Sequence, residues 1–226
     1  MMLNFEVMTS ERIPYPEYLK MSDGWSQWFY SDESEALLLP ILAELLGQSM
    51  YPPTHDLFQA FYECPLENVQ VVLLGEQPYT SEHATGLALE VRPNHLLTSS
   101  LQNVYRELED EGYHPTKDGE LCGWARQGVL LLNCALTVPR TGDRNHLAIW
   151  KPFLLELFRT LSKKSKIVWL LMGEHACEYR EEIELLNESH CVLSTSQPDI
   201  PAFLQSKVFR KVNEKLRTWK KKEIVW

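Results

Sequence analysis

No stretch of this chain stays apolar for the ~20 residues that a membrane-crossing helix needs, so no membrane association is expected. The start, MMLNFEVMTSERIPYPEYL, has neither the basic lead nor the long apolar stretch of a signal peptide, and the expected address is cytoplasmic or nuclear. Five cysteines (Cys64, Cys122, Cys134, Cys177 and Cys191) are odd in number and scattered, with no CxxC pair, which argues against a disulfide framework or a cysteine zinc site. The seven histidines form no HxxxH pair, so no metal site is implied and no cofactor is expected. A P-loop, a GxGxxG turn and a GxSxG elbow are all missing as well. Nor does any repeat, low-complexity tract or Gly/Ser linker divide the 226 residues. One domain over 1–226 is therefore expected, with 1–24 read as an irregular N-terminal extension and the chain as a monomer.

Charge is present but unevenly placed. The net charge is −9, yet residues 207–222 hold eight Lys/Arg against Glu214 alone, leaving about −16 on the remainder. A basic end on an acidic body could meet phosphates; it equally complements a helix dipole or forms a solvated face, and the latter is the preferred reading.

Apolar periodicity gives the fold class. Residues 34–47 predict a helix with Pro40 at a kink, and 51–54 a turn with Thr54 capping a helix to about residue 62. A regular alternation follows. Apolar runs at 69–74 (VQVVLL), 128–133 (GVLLLN), 166–172 (KIVWLLM) and 190–195 (HCVLST) predict four buried strands. Helical spacing at 99–111, 150–161, 174–187 and 202–219 predicts the helices between and after them. The expectation is a three-layer α/β/α protein around a central four-stranded, mostly parallel sheet.

In such a sheet the loops after the strands gather along one edge, where ligands bind. Here they are GEQPY, NCALT, GEH and SQPD. Asn133 ends its strand with a carboxamide that could read a base edge, or simply form a turn. Tyr79, behind the stiff Pro78, could wall a pocket or belong to the core.

Taken together, VVLLGEQPY, ATGLALEV, SLQNVYRELEDE, GWARQGVLLLNCALTV, VWLLMG and HCVLSTSQP stand in the order and spacing of one family. The chain resembles the uracil-DNA glycosylases of the family-1 type, from about Trp25 to Trp226. The resemblance implies a fold that flips a deoxyuridine from DNA and hydrolyses its glycosidic bond without a metal. It places Asn133 on the base-reading Asn, Tyr79 on the Tyr that excludes thymine's methyl, and Leu89 on the stacking Phe. It also places Gln77 on the catalytic Asp of GQDPYH and Gln197 on the catalytic His of HPSPLS.

An amide can hold a water but cannot offset an oxocarbenium charge, and losing such electrostatic elements costs on the order of 3–4 kcal/mol each. Glu76 offers a carboxylate beside the missing one, although adjacent side chains on an extended strand point apart. Among phosphate-gripping positions Ser100 is kept, while Glu174 and Asp199 replace serines, and Ile200 is the nearest apolar residue to the family's DNA wedge. A weakened grip on DNA is expected. The reading that follows is a glycosylase-fold protein with impaired or absent hydrolysis, acting as a module that binds a base, DNA or a protein partner. The alternative is a divergent glycosylase for uracil or a modified pyrimidine.

Overall fold

The computed structural model describes residues 21–141 and 145–226. Most of the expected N-terminal extension lies outside the described residues; Asp23 and Gly24 are already helical.

Four strands form one parallel sheet: β2 (Val71–Gly75), β3 (Val129–Asn133), β5 (Val168–Met172) and β6 (Cys191–Thr195), in the order β3-β2-β5-β6. The near-continuous Val/Leu runs of β2, β3 and β5 follow from burial on both faces by helices, whereas β6 lies at the sheet edge and is half-buried, not buried as expected from its sequence. Val71–Leu74, Val129–Leu132 and Val168–Met172 are at most 2% exposed, and each buried Leu or Val contributes about 1.5–3 kcal/mol.

Two short strands escape the sequence pattern. β1 (Met50–Tyr51) pairs antiparallel with β4 (Val138–Pro139), so Tyr51 is a strand residue rather than part of a turn. Two residues are too few to show a period of two.

Helices surround the sheet. α1 (Asp23–Phe29) was not visible as a periodic run, while α2 (Asp32–Leu45) starts at Ser31, whose hydroxyl accepts from Ser34 N–H. Pro40 sits inside that helix without ending it. Thr54 is not the cap expected of it. It opens a 3₁₀ turn, Thr54–Asp56, without a side-chain capping bond, and α3 (Gln59–Glu63) begins only after Phe58. Trp25 and Phe29 of α1 meet Phe61 of α3 edge to face, Trp28 stacks nearly parallel to it, and Phe61 reaches the cavity at the carboxyl end of the sheet.

The remaining helices are α4 (Ser99–Asp110), α5 (Cys122–Ala125), α6 (Leu147–Ser162), α7 (Glu174–Cys177), α8 (Arg180–Leu186) and α9 (Val208–Thr218). Two expected long helices prove shorter. The one over 174–187 divides into α7 and α8 around Tyr179. The one over 202–219 is a 3₁₀ turn, Pro201–Phe203, then left-handed Gln205 and Lys207, then α9.

The break before α9 has a distant cause. Buried Glu107 of α4 accepts hydrogen bonds from Gln205 N–H (2.5 Å), Lys207 N–H (2.6 Å) and the Ser206 hydroxyl (3.2 Å). One turn on, Glu111 accepts from Phe209 N–H (3.2 Å) and from Arg210 N–H. Two carboxylates, one on α4 and one on the residue that caps its end, thus satisfy the otherwise orphaned amides that begin another helix.

Candidate active site

The carboxyl ends of β2, β3 and β5 open into a cavity of about 240 Å³. That is smaller than the roughly 300–1,000 Å³ of sites for drug-sized ligands and suits a group the size of one ring system. Its lining brings together Glu76, Gln77, Tyr79, Leu89, Ser100, Asn133, Gln197 and Asp199. Of the positions singled out in the sequence, Glu174 and Ile200 alone stand outside that lining. Both are exposed, Glu174 on the first turn of α7 and Ile200 in the turn after Gln197.

Strand register fixes the floor. Gly75 pairs with Asn133 across β2 and β3, and the Asn133 Oδ1 atom lies 2.6 Å from where a β-carbon on Gly75 would sit. No side chain fits there, so Asn133 folds its carboxamide over a bare backbone at the strand end. The two loops then run on together, with Cys134 N–H bonded to Gly75 O (2.9 Å) and Ala135 N–H to Glu76 O (3.1 Å). Cys134 itself is buried, and burial with the nearby Glu76 charge pushes its thiol well above the ordinary range. It remains a protonated packing residue.

Tyr79 is held from two sides. Its hydroxyl donates to Leu89 O (3.0 Å) and accepts from the Thr98 hydroxyl (2.8 Å), while Thr98 also accepts from Leu101 N–H (3.3 Å) as the cap of α4. Burial pushes the phenol up to about 12, so it stays a donor at neutral pH. Leu89 adopts a left-handed backbone (φ 68°), which the hydrogen bond to its carbonyl helps to hold. Gly86 (φ 91°) is demanded by contact, since a β-carbon there would lie 1.9 Å from Asp56 O. Arg92 completes the wall by bonding Ala84 O (2.9 Å), Glu82 O (3.0 Å) and the Asp56 carboxylate.

Glu76 and Gln77 diverge. The Glu76 carboxylate turns toward β5, where it accepts from His175 N–H (3.2 Å). It and the Gln197 stem crowd Gly173 (φ 98°), lying 2.3 and 2.6 Å from its virtual β-carbon. Gln77 is exposed at the mouth, its amide free of hydrogen bonds to the described residues. From the far side, Asn103 of α4 donates to Pro198 O (2.8 Å), which fixes the loop carrying Gln197 and Asp199.

Thr98, Gly173, Asn103 and Phe61 were not singled out from the sequence. Thr98 had a usable signal, a cap-forming residue just before a helical run. The other three act through contacts between segments far apart in the chain.

Residues 61–221 match the sequence model of the Uracil DNA glycosylase superfamily. A uracil-DNA glycosylase of Campylobacter jejuni subsp. doylei is 34% identical over 220 residues, covering 92% of this chain and 94% of that one. One of Wolinella succinogenes is 38% identical over 222 residues, covering 93% and 96%. Among solved structures, a mimivirus uracil-DNA glycosylase matches with a TM-score of 0.78 at 23% identity, over 90% of this chain and 84% of that one, which speaks to the fold. A mimivirus UNG variant in complex with UGI matches with a TM-score of 0.80 at 23% identity, over 93% and 90%. With a family match across most of its length and relatives above 30% identity over nearly all of it, this chain belongs to the uracil-DNA glycosylase superfamily.

Proposed function

We propose that the chain is a divergent DNA glycosylase that hydrolyses the N-glycosidic bond of uracil, or of a modified pyrimidine of similar size, slowly. The observation that carries this reading is one cavity of about 240 Å³ whose lining includes Asn133, Tyr79, Gln77 and Gln197. Relatives 33–38% identical and named uracil-DNA glycosylase support an enzyme over a module that only binds.

In this reading a nucleotide is extruded from the strand and its base enters the cavity. Asn133 reads the pyrimidine edge with one donor and one acceptor. The doubly held Tyr79 closes the space beside C5, and Leu89 supplies an apolar wall in place of a π face. Gln77 accepts a hydrogen bond from the attacking water at the mouth. Gln197 donates one hydrogen bond to the base as it leaves with negative charge. Neither amide supplies the charge or proton-accepting power of a carboxylate or imidazole, which sets the rate low. The presence of amides at both reactive positions is what favours the second reading, a base- or DNA-binding module without turnover.

Release of uracil from a single-stranded oligonucleotide, followed by alkaline strand cleavage, tests the proposal. Slow release that scales with enzyme and is lost in Asn133→Ala is expected. Gln77→Asp combined with Gln197→His should raise it by about 100-fold if one element is recovered and by up to about 10,000-fold if both are, at ~3 kcal/mol for each. No release from the wild type, with no gain in the double variant, would leave the binding module as the correct reading.

A further inference from the structure

We propose that the groove at the amino ends of β2 and β5, opposite the base cavity, docks an acidic polypeptide segment of a partner protein. The groove has a volume of about 470 Å³ and is lined by Lys164, Lys221 and Lys222, with Asn68, Ser165 and the single acid Glu67 among the rest. Lys166 stands beside it, its carbonyl accepting from Lys221 Nζ (2.7 Å).

Backbone contacts hold these lysines before any ligand arrives. Lys164 Nζ donates to Glu67 O (3.0 Å), and Gln70 donates to Lys222 O (3.2 Å) and Gln127 O (3.0 Å), tying the C-terminal segment to the start of β2. Each ammonium has three donors, so Lys164 and Lys221 each spend one internally and keep two for a ligand. Among the described residues, no carboxylate lies within ion-pair distance of Lys164, Lys166, Lys221 or Lys222. Burial, then the charges of Lys164 and Lys166, hold the Lys221 ammonium below its ordinary range. Positive charges are therefore crowded together on a chain whose net charge is −9. Acidic side chains arriving from outside would relieve that repulsion.

The groove's chemistry favours polypeptide over nucleic acid. Its lining has no aromatic residue on which a base could stack, and lysine heads rather than the bidentate forks that arginine offers to phosphate. It is a shallow, open depression, and the Asp and Glu side chains of an extended peptide can reach its ammonium groups. Asn68 and Ser165 add neutral polar groups for a peptide backbone.

Fluorescence anisotropy of a labelled glutamate-rich peptide of about ten residues, titrated with the whole chain at low salt, tests this. Saturable binding is expected. Lys166→Gln with Lys222→Gln should weaken it by about fivefold, and adding Lys164→Gln and Lys221→Gln by about 20-fold or more. The first pair leaves the internal side-chain hydrogen bonds of Lys164 and Lys221 in place, so it keeps the test valid if the quadruple variant unfolds on heating at lower temperature. Control changes at Lys151 and Lys211 should leave the affinity within about twofold. Uracil release should be unchanged in all of them, which separates this groove from the cavity. Absence of peptide binding, or binding indifferent to the first pair, would overturn the proposal. So would a single-stranded thymidine oligomer of matched charge that binds more tightly than the peptide and loses affinity in the same variants.

Discussion

Glutamine and glutamate fill nearly the same volume, and at Glu76 and Gln77 the choice between amide and carboxylate bears directly on the proposed chemistry. In the proposed reading, Gln77 and Gln197 are neutral at the positions assigned to the attacking water and to the leaving base. The Glu76 carboxylate lies against Gly173 and the Gln197 stem, which in that reading puts it nearer the leaving base than the attacking water. A fixed negative charge there opposes charge building on the leaving group. Glu76→Gln is therefore expected to raise uracil release by about two- to tenfold, and an assay in which it abolished release would make Glu76 the working carboxylate instead. Much of this was legible before any coordinates. Asn133, Tyr79, Gln77 and Gln197 follow from the ends of apolar runs and from motif order. The direction of the Glu76 carboxylate was not legible, because it depends on Gly173 and His175, about a hundred residues away.

The helices show where reading by periodicity stops. Three strands of the main sheet were evident because burial on both faces writes itself as uninterrupted Val and Leu, whereas β6, a half-buried edge strand rather than the buried one expected, showed only a short apolar run. The start of α9 was not evident, because the amides that open it are held by the carboxylates of Glu107 on α4 and Glu111 at its end, far away in the chain. The same pair carries a pH signature. Burial pushes the Glu111 carboxyl up to about 7, against the partial opposition of the Arg210 and Phe209 amides. Its proton is thus favoured by the fold, and the resulting stability is fully present below about pH 4.5 and lost as pH rises through about 7. Thermal unfolding measured from pH 5 to 8 should show a falling contribution from this group, and Glu111→Gln should flatten that slope. An unchanged slope in the variant would assign the pH dependence elsewhere.

At the scale of the whole molecule, charge is segregated. The rim of the base cavity carries Asp199, with Glu174 exposed on the neighbouring strand-end loop, whereas the lysines gather at the opposite end of the sheet. A DNA strand approaching the cavity meets like charge. Replacing Glu174 and Asp199 by serine should tighten binding of single-stranded DNA by about three- to tenfold at low salt, with the gain shrinking as salt rises. A gain that persisted at high salt would point to contacts other than charge. Strand β2 links the two ends, leaving the lysine groove after Gln70 and delivering Glu76 to the cavity about 20 Å away, at roughly 3.3 Å per residue. A partner moored at one end would leave the other unobstructed. Such a mooring would work as a leash, raising the local concentration of the cavity around that partner toward the millimolar range without touching a single atom of its lining.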